Sequence, residues 1–167
     1  MFTYMAMAFT WEEICNRKEL RDLPFKIEQD KYGRIVMSPV KIDHSGFQSR
    51  LFALLLKLFP EWTVFVEFPV ETDEGVRVPD LAVFAPGRFS PAWRGAACPV
   101  APDLCIEVLS SGNTRAEMDE KRGLYAAKGC REFWTCSEEG VIRFQRSDGA
   151  ALPRSELCPA FPPTVSG

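Results

Sequence analysis

The run Asp103-Leu104-Cys105-Ile106-Glu107-Val108-Leu109 constrains this chain more than any other stretch. Its apolar residues are almost continuous rather than alternating, which predicts a strand covered on both faces. Glu107 interrupts it, and an ionised carboxylate in apolar surroundings must be paired or bound to a metal. A second charge is placed the same way. Lys121 shares a helical face with Met118, Leu124 and Tyr125 at spacings of three and four, so it points inward. Asp80 follows Val78-Pro79 in a third strand-like run, Val76 to Ala85. Two acids and a lysine forced into apolar settings point to a metal-dependent site.

A chain of 167 residues suits one domain spanning 1–167, with a core at about 10–165. Hydrophobic residues make up 46%, enough to exclude a disordered chain. A net charge of −3 argues against strong non-specific duplex binding but leaves room for a locally basic cleft. The six cysteines form no C-x-x-C pair and His44 is the only histidine, so zinc-ligand spacing has little support. The reading expects reduced thiols in a cytoplasmic protein, with neither a secretory signal nor the roughly 18 apolar residues of a membrane span. The methionine-rich first residues are expected to fray.

Thr10 with Glu13 caps an opening helix expected to run to Glu19. Lys26–Asp30 and Arg34–Met37 read as a hairpin, and His44–Phe59 as the clearest helix, ended by Pro60. Trp62–Val70 and Val76–Ala85 read as a strand pair, in which Pro79 marks an edge or bulge that re-aims a side chain. The proline-rich segment Pro86–Pro102 is long enough to be functional or mobile. Thr114-x-x-Glu117 opens a helix to Lys128, with Gly129 as its C-cap. A hairpin from Arg131–Cys136 and Val141–Arg146 follows, and the tail from Pro153 is expected over the surface. The sum is an α/β domain with a central mixed sheet flanked by two long helices.

Ordered in this way, the chain resembles the PD-(D/E)XK nuclease superfamily, and more narrowly the Uma-two family of restriction-endonuclease-like proteins. The matching stretches are Val36-Met37-Ser38-Pro39, His44 with Gln48, Val78-Pro79-Asp80, Ile106-Glu107-Val108-Leu109-Ser110, Glu120-Lys121 with Tyr125, and Gly129-Cys130-Arg131-Glu132-Phe133-Trp134. The resemblance implies a restriction-endonuclease-like core and a Mg²⁺-dependent endonuclease acting on DNA, with Mn²⁺ as a possible substitute. It implies Asp80 and Glu107 as metal ligands, helped by the carbonyl of Val108. Lys121 would orient the attacking water or offset charge on the phosphate, and a homodimer fits the same pattern. The superfamily lysine normally stands two residues after the glutamate; here Leu109 holds that place and Lys121 comes from the next helix.

Each residue also has a plainer reading. Asp80 would be a solvated turn acid, Glu107 a buried acid paired with Arg77 or Arg131, and Lys121 a lysine whose stem covers the core while its head reaches water. Their joint order favours the site. Glu117 is explained by capping, and Glu67 by a solvent-facing strand position, though an extra ligand role stays open. His44 and Gln48, one turn apart, read as the start of a surface helix. Arg115, Arg122, Lys128 and Arg131 would rim the site for phosphates, or be a solvated face; Phe89 and Trp93 would stack on a base or partner. The alternative to the nuclease is a catalytically inactive nuclease-fold module for nucleic-acid or protein binding. A glycosidase on the same carboxylates would leave Lys121 unexplained.

Overall fold

The computed structural model describes residues 8–39 and 41–166. The start expected to fray, residues 1–7, lies outside them. Thr10 caps α1 (Trp11–Asn16) through a reciprocal pair of bonds with Glu13. The helix stops before Glu19, because Arg17 is extended and a short 3₁₀ turn, Lys18–Leu20, follows. β1 (Phe25–Asp30) and β2 (Ile35–Pro39) form the expected antiparallel hairpin, with Ile27 opposite Met37. Asp30 closes its turn by accepting from the backbone N–H groups of Tyr32 and Arg34.

α2 (Ile42–Leu58) begins two residues before His44. The expected strand pair after it is broken in two. β3 (Thr63–Val66) pairs with β6 (Leu81–Phe84), whereas β4 (Val70–Thr72) pairs with β5 (Gly75–Arg77) in a different sheet. Two residues cause the break. Glu67 sits at φ 51, which turns the chain, and Pro79 brings no N–H to continue a ladder. The broken pair is still stitched at its centre, where the Glu67 N–H donates to the Asp80 carbonyl at 3.0 Å.

β7 (Leu104–Val108) is buried along its whole length, as its composition demands. It pairs antiparallel with β6 and parallel with β8 (Glu132–Cys136), and α3 (Arg115–Ala127) is the crossover between the parallel strands. β9 (Ile142–Arg146) and β10 (Ala151–Leu152) complete a mixed six-stranded sheet in the order β10-β9-β8-β7-β6-β3. The second sheet, in the order β2-β1-β5-β4, is wholly antiparallel.

Strand alternation sorts the core into two layers. Leu104, Ile106 and Val108 join Leu51 and Leu55 of α2, with Leu81, Val83 and Trp134 from neighbouring strands. Cys105 and Phe133 face the opposite way, onto Met118 and Tyr125 of α3 and Val70 of β4. Each fully buried large aliphatic or aromatic side chain here contributes roughly 1.5–3 kcal/mol. Glu107, two residues after Cys105, therefore faces α3.

Two irregular segments are tied down at a few points. Pro86–Pro102 is pinned: Cys98 exchanges backbone bonds with Pro69 and Glu71 at 2.9 and 2.8 Å, and the Trp11 indole donates to the Ala96 carbonyl. The tail runs over the surface as expected, with most of its residues exposed, but it is anchored at intervals. Cys158, Phe161 and Val165 enter the core, since buried Glu132 accepts from the Ser155 hydroxyl and from the N–H groups of Glu156 and Leu157.

Candidate active site

The sheet alternation that turns Glu107 toward α3 delivers it to Lys121 and Tyr125. Both lie on the inward face of α3, one turn apart. Glu107 Oε1 accepts from Lys121 Nζ and from the Tyr125 hydroxyl, each at 3.3 Å. Its other oxygen, Oε2, accepts from Lys26 Nζ on β1 at 3.0 Å. Neither Arg77 nor Arg131 is its partner. Arg77 donates to the carbonyls of Gln29 and Glu74, and Arg131 pairs with Asp103.

Asp80 sits just before β6, where Pro79 has interrupted the ladder. Its Oδ2 accepts from the Val108 N–H at 2.7 Å, which binds the acid to the strand that carries Glu107. Its Oδ1 accepts from Lys26 Nζ at 2.8 Å and stands 3.3 Å from His44 Nε2. Gln48 donates to the Asp80 carbonyl at 3.1 Å. His44 and Gln48 thus form the start of a helix that faces the acid, not the solvated start expected for them. Asp80 is only 1% exposed, so it is no solvated turn acid.

β1 adds a third carboxylate. Glu28 accepts from the Val78 N–H at 2.8 Å and lies 3.1 Å from Lys121 Nζ. Lys121 therefore bridges Glu28 and Glu107, and its head group is buried rather than carried to water. Lys26 and Glu28 are the residues that sequence reasoning missed. Two charges at i and i+2 belong to one face of a strand, but the alternation does not say whether that face is the inward one. In the fold that face looks inward at Asp80 and Glu107.

The electrostatics follow from three carboxylates sharing two ammonium groups. Burial by itself raises the Asp80 pKa, but the charge of Lys26 and the bond from His44 outweigh it, holding the acid well below the usual carboxylate range. For Glu107 burial dominates, and its pKa stays above the ordinary value despite Lys121 and Lys26. Burial lowers both lysines, yet the surrounding acids, Glu107 first, win and hold them above their ordinary values. The five side chains thus form one continuous network of largely buried ion pairs.

A small cleft opens over this cluster, lined also by Glu67, Ser110, Asn113 and Glu117. Glu67 is exposed at its rim. Glu117 caps α3 as expected. The proposed basic rim does not form: Arg115 and Arg122 pair with Asp119, Lys128 with Asp73, and none of the four lines the cleft. Phe89 and Trp93 pack on Phe84 in an aromatic cluster.

Among the described residues no three His, Cys, Asp or Glu side chains gather as a metal cage. Two carboxylates nevertheless converge on one cation, the Lys26 ammonium, within 3.0 Å of both. That pair offers hard oxygen donors to a single point, the kind of partial ligand set Mg²⁺ takes while keeping several waters. The two carboxylates present would fit such an ion at the point where they now meet the Lys26 ammonium.

No curated protein matches the chain. Among solved structures it is similar to the crystal structure of a putative nuclease belonging to DUF820 from Anabaena variabilis ATCC 29413. The TM-score is 0.71 and the identity 18%, over 95% of this chain and 94% of that one. At that identity the likeness establishes the fold, which is restriction-endonuclease-like. The Uma2 family, described as "Putative restriction endonuclease", matches residues 17–164. Spanning nearly the whole chain, that match places the protein in the Uma2 family.

Proposed function

We propose that the chain is a Mg²⁺-dependent endonuclease that hydrolyses DNA phosphodiester bonds, with Mn²⁺ able to substitute. One observation carries the reading: Asp80 and Glu107, from adjacent segments of one sheet, direct carboxylate oxygens at a shared cation position beside a buried lysine. Asp80 and Glu107 would hold the ion, with the Val108 carbonyl as a further donor. Once bound, the ion supplies Lewis-acid chemistry, lowering the pKa of a water and offsetting charge on the phosphate. Lys121, held between Glu28 and Glu107, orients that water or meets charge developing on the phosphate. The Val108 N–H and the Gln48 amide fix Asp80 from both sides, so its carboxylate is preorganised.

Glu107→Ala is expected to abolish Mg²⁺-dependent cleavage of plasmid DNA while circular dichroism shows the fold retained. Undiminished cleavage by that variant would overturn the assignment. A second reading, an inactive nuclease-fold module, is favoured by the lysine that occupies the cation position. Calorimetry with Mg²⁺ separates the two, since the module would bind none at millimolar concentration. A cytoplasmic homodimer belongs to the same proposal. The edge strand β2 with half-exposed Val36 and Met37 supports self-association, which sedimentation would test. Among the described residues no helix is long and apolar enough to cross a membrane.

A further inference from the structure

Lys26 occupies a place that the proposed chemistry needs for another cation. Its ammonium lies 2.8 Å from Asp80 and 3.0 Å from Glu107, and the side chain is only 10% exposed. A divalent ion would have to compete with Lys26 for the oxygens of both acids. With Lys26 in place, Glu28, Asp80 and Glu107 face two ammonium groups. Adding a dication beside both lysines gives four positive charges against three negative, with the ion and Lys26 competing for the same oxygens. Removing Lys26 from that position relieves its repulsion with the ion and frees both carboxylates to face the dication.

The lysine also has somewhere to go. Lys26 and Glu67 line both the cleft over the acids and a neighbouring cavity of about 270 Å³, walled by Trp11, Ile14 and Phe25 and edged by Arg21 and by Arg17, whose charge is met by Glu19. Glu67 is exposed, and among the described residues its carboxylate has no ion-pair partner. Its left-handed backbone, at φ 51, keeps it on the wall the two spaces share. A flexible four-carbon stem lets the ammonium swing between them without moving β1.

Resting on the metal-dependent reading above, we infer that Lys26 is a displaceable internal cation: it neutralises Asp80 and Glu107 in the absence of metal and is expelled toward Glu67 when a divalent ion binds. The inference makes Lys26 a determinant of metal affinity, with the ammonium's departure as part of the binding event.

Two measurements test it. Calorimetry with Mn²⁺ compares the wild type with Lys26→Met, which keeps the length and apolar stem but lacks the competing charge. The variant is expected to bind about tenfold tighter or better. Separately, acetylation of the wild-type protein by an N-hydroxysuccinimide ester, read by mass spectrometry, reports Lys26 without any mutation. Millimolar Mg²⁺ is expected to raise modification of Lys26 several-fold while other lysines hold steady. Wild-type binding of Mn²⁺ with no gain in Lys26→Met, or Mg²⁺ that leaves Lys26 labelling unchanged, would sink the exchange and spare the metal-dependent reading. If neither folded protein binds Mn²⁺ at millimolar concentration, both fall together. Should Lys26→Met not fold, the labelling result alone decides.

Discussion

Glu28 touches no bond that the proposed reaction breaks, yet it holds Lys121 from the side opposite Glu107. Glu28→Gln keeps an acceptor for the Val78 N–H and removes only the charge that Lys121 answers. Loss of one charged hydrogen bond should cost roughly 1.5–3 kcal/mol in urea unfolding, and Mg²⁺-dependent cleavage should fall with the fold intact. Cleavage at the wild-type rate would show that Lys121 needs no second anchor. At this scale the sequence was legible wherever a charge stood among apolar neighbours: Asp80, Glu107 and Lys121 all lie within the one cluster. Lys26 and Glu28 were not legible, because they alternate with Phe25 and Ile27 as a wet strand face would. Phe25 is in fact the exposed side, 40% accessible. Alternation identifies two faces and cannot say which is inward. His44 and Gln48 were misjudged likewise, since a helix start facing a buried acid reads the same as one facing solvent.

The elements that deliver these residues depend on a few backbone positions. Gly75 turns β4 into β5 at φ 100, packed against the backbone of Gln29 and Asp30 on β1. A Cβ there would collide with that backbone in a conformation that side chains rarely adopt. Gly75→Ala is expected to destabilise the protein by about 2 kcal/mol or more and to loosen β1, lowering cleavage as well. A variant as stable as the wild type would mean that β1 is not tied to β5 as described. Both capped helices were readable, because Thr10 with Glu13 and Thr114 with Glu117 carry their signal within four residues. The split of the strand pair was not. Apolar alternation continues from Val64 past the turn at Glu67, so only the backbone reveals that β3 and β4 enter different sheets.

Across the whole molecule, α2 and α3 cover the two faces of the mixed sheet, and the four-stranded sheet brings β1 over the α3 side. The tail completes the α2 side. Glu132 accepts there from the Trp134 indole, the Ser155 hydroxyl and the N–H groups of Glu156 and Leu157. Glu132→Ala strands those four donors and should cost about 3 kcal/mol or more. It should also open the tail to trypsin at exposed Arg154, faster than in the wild type; an unchanged digestion rate would argue that apolar packing alone seats the tail. The tail's buried anchors were hidden from sequence because Cys158, Phe161 and Val165, although spaced by three and four, stand among Pro159, Pro162 and Pro163, which exclude the helix that such spacing would otherwise announce. The family order of motifs, in contrast, was legible over nearly the full chain. Whether Asp80 and Glu107 share one divalent cation is read from anomalous diffraction of a crystal soaked in Mn²⁺. One peak is expected between the two carboxylates, about 2.0–2.3 Å from an oxygen of each, with the Lys26 ammonium moved away. A peak elsewhere, or Lys26 still bridging the acids at saturating Mn²⁺, would contradict that expectation.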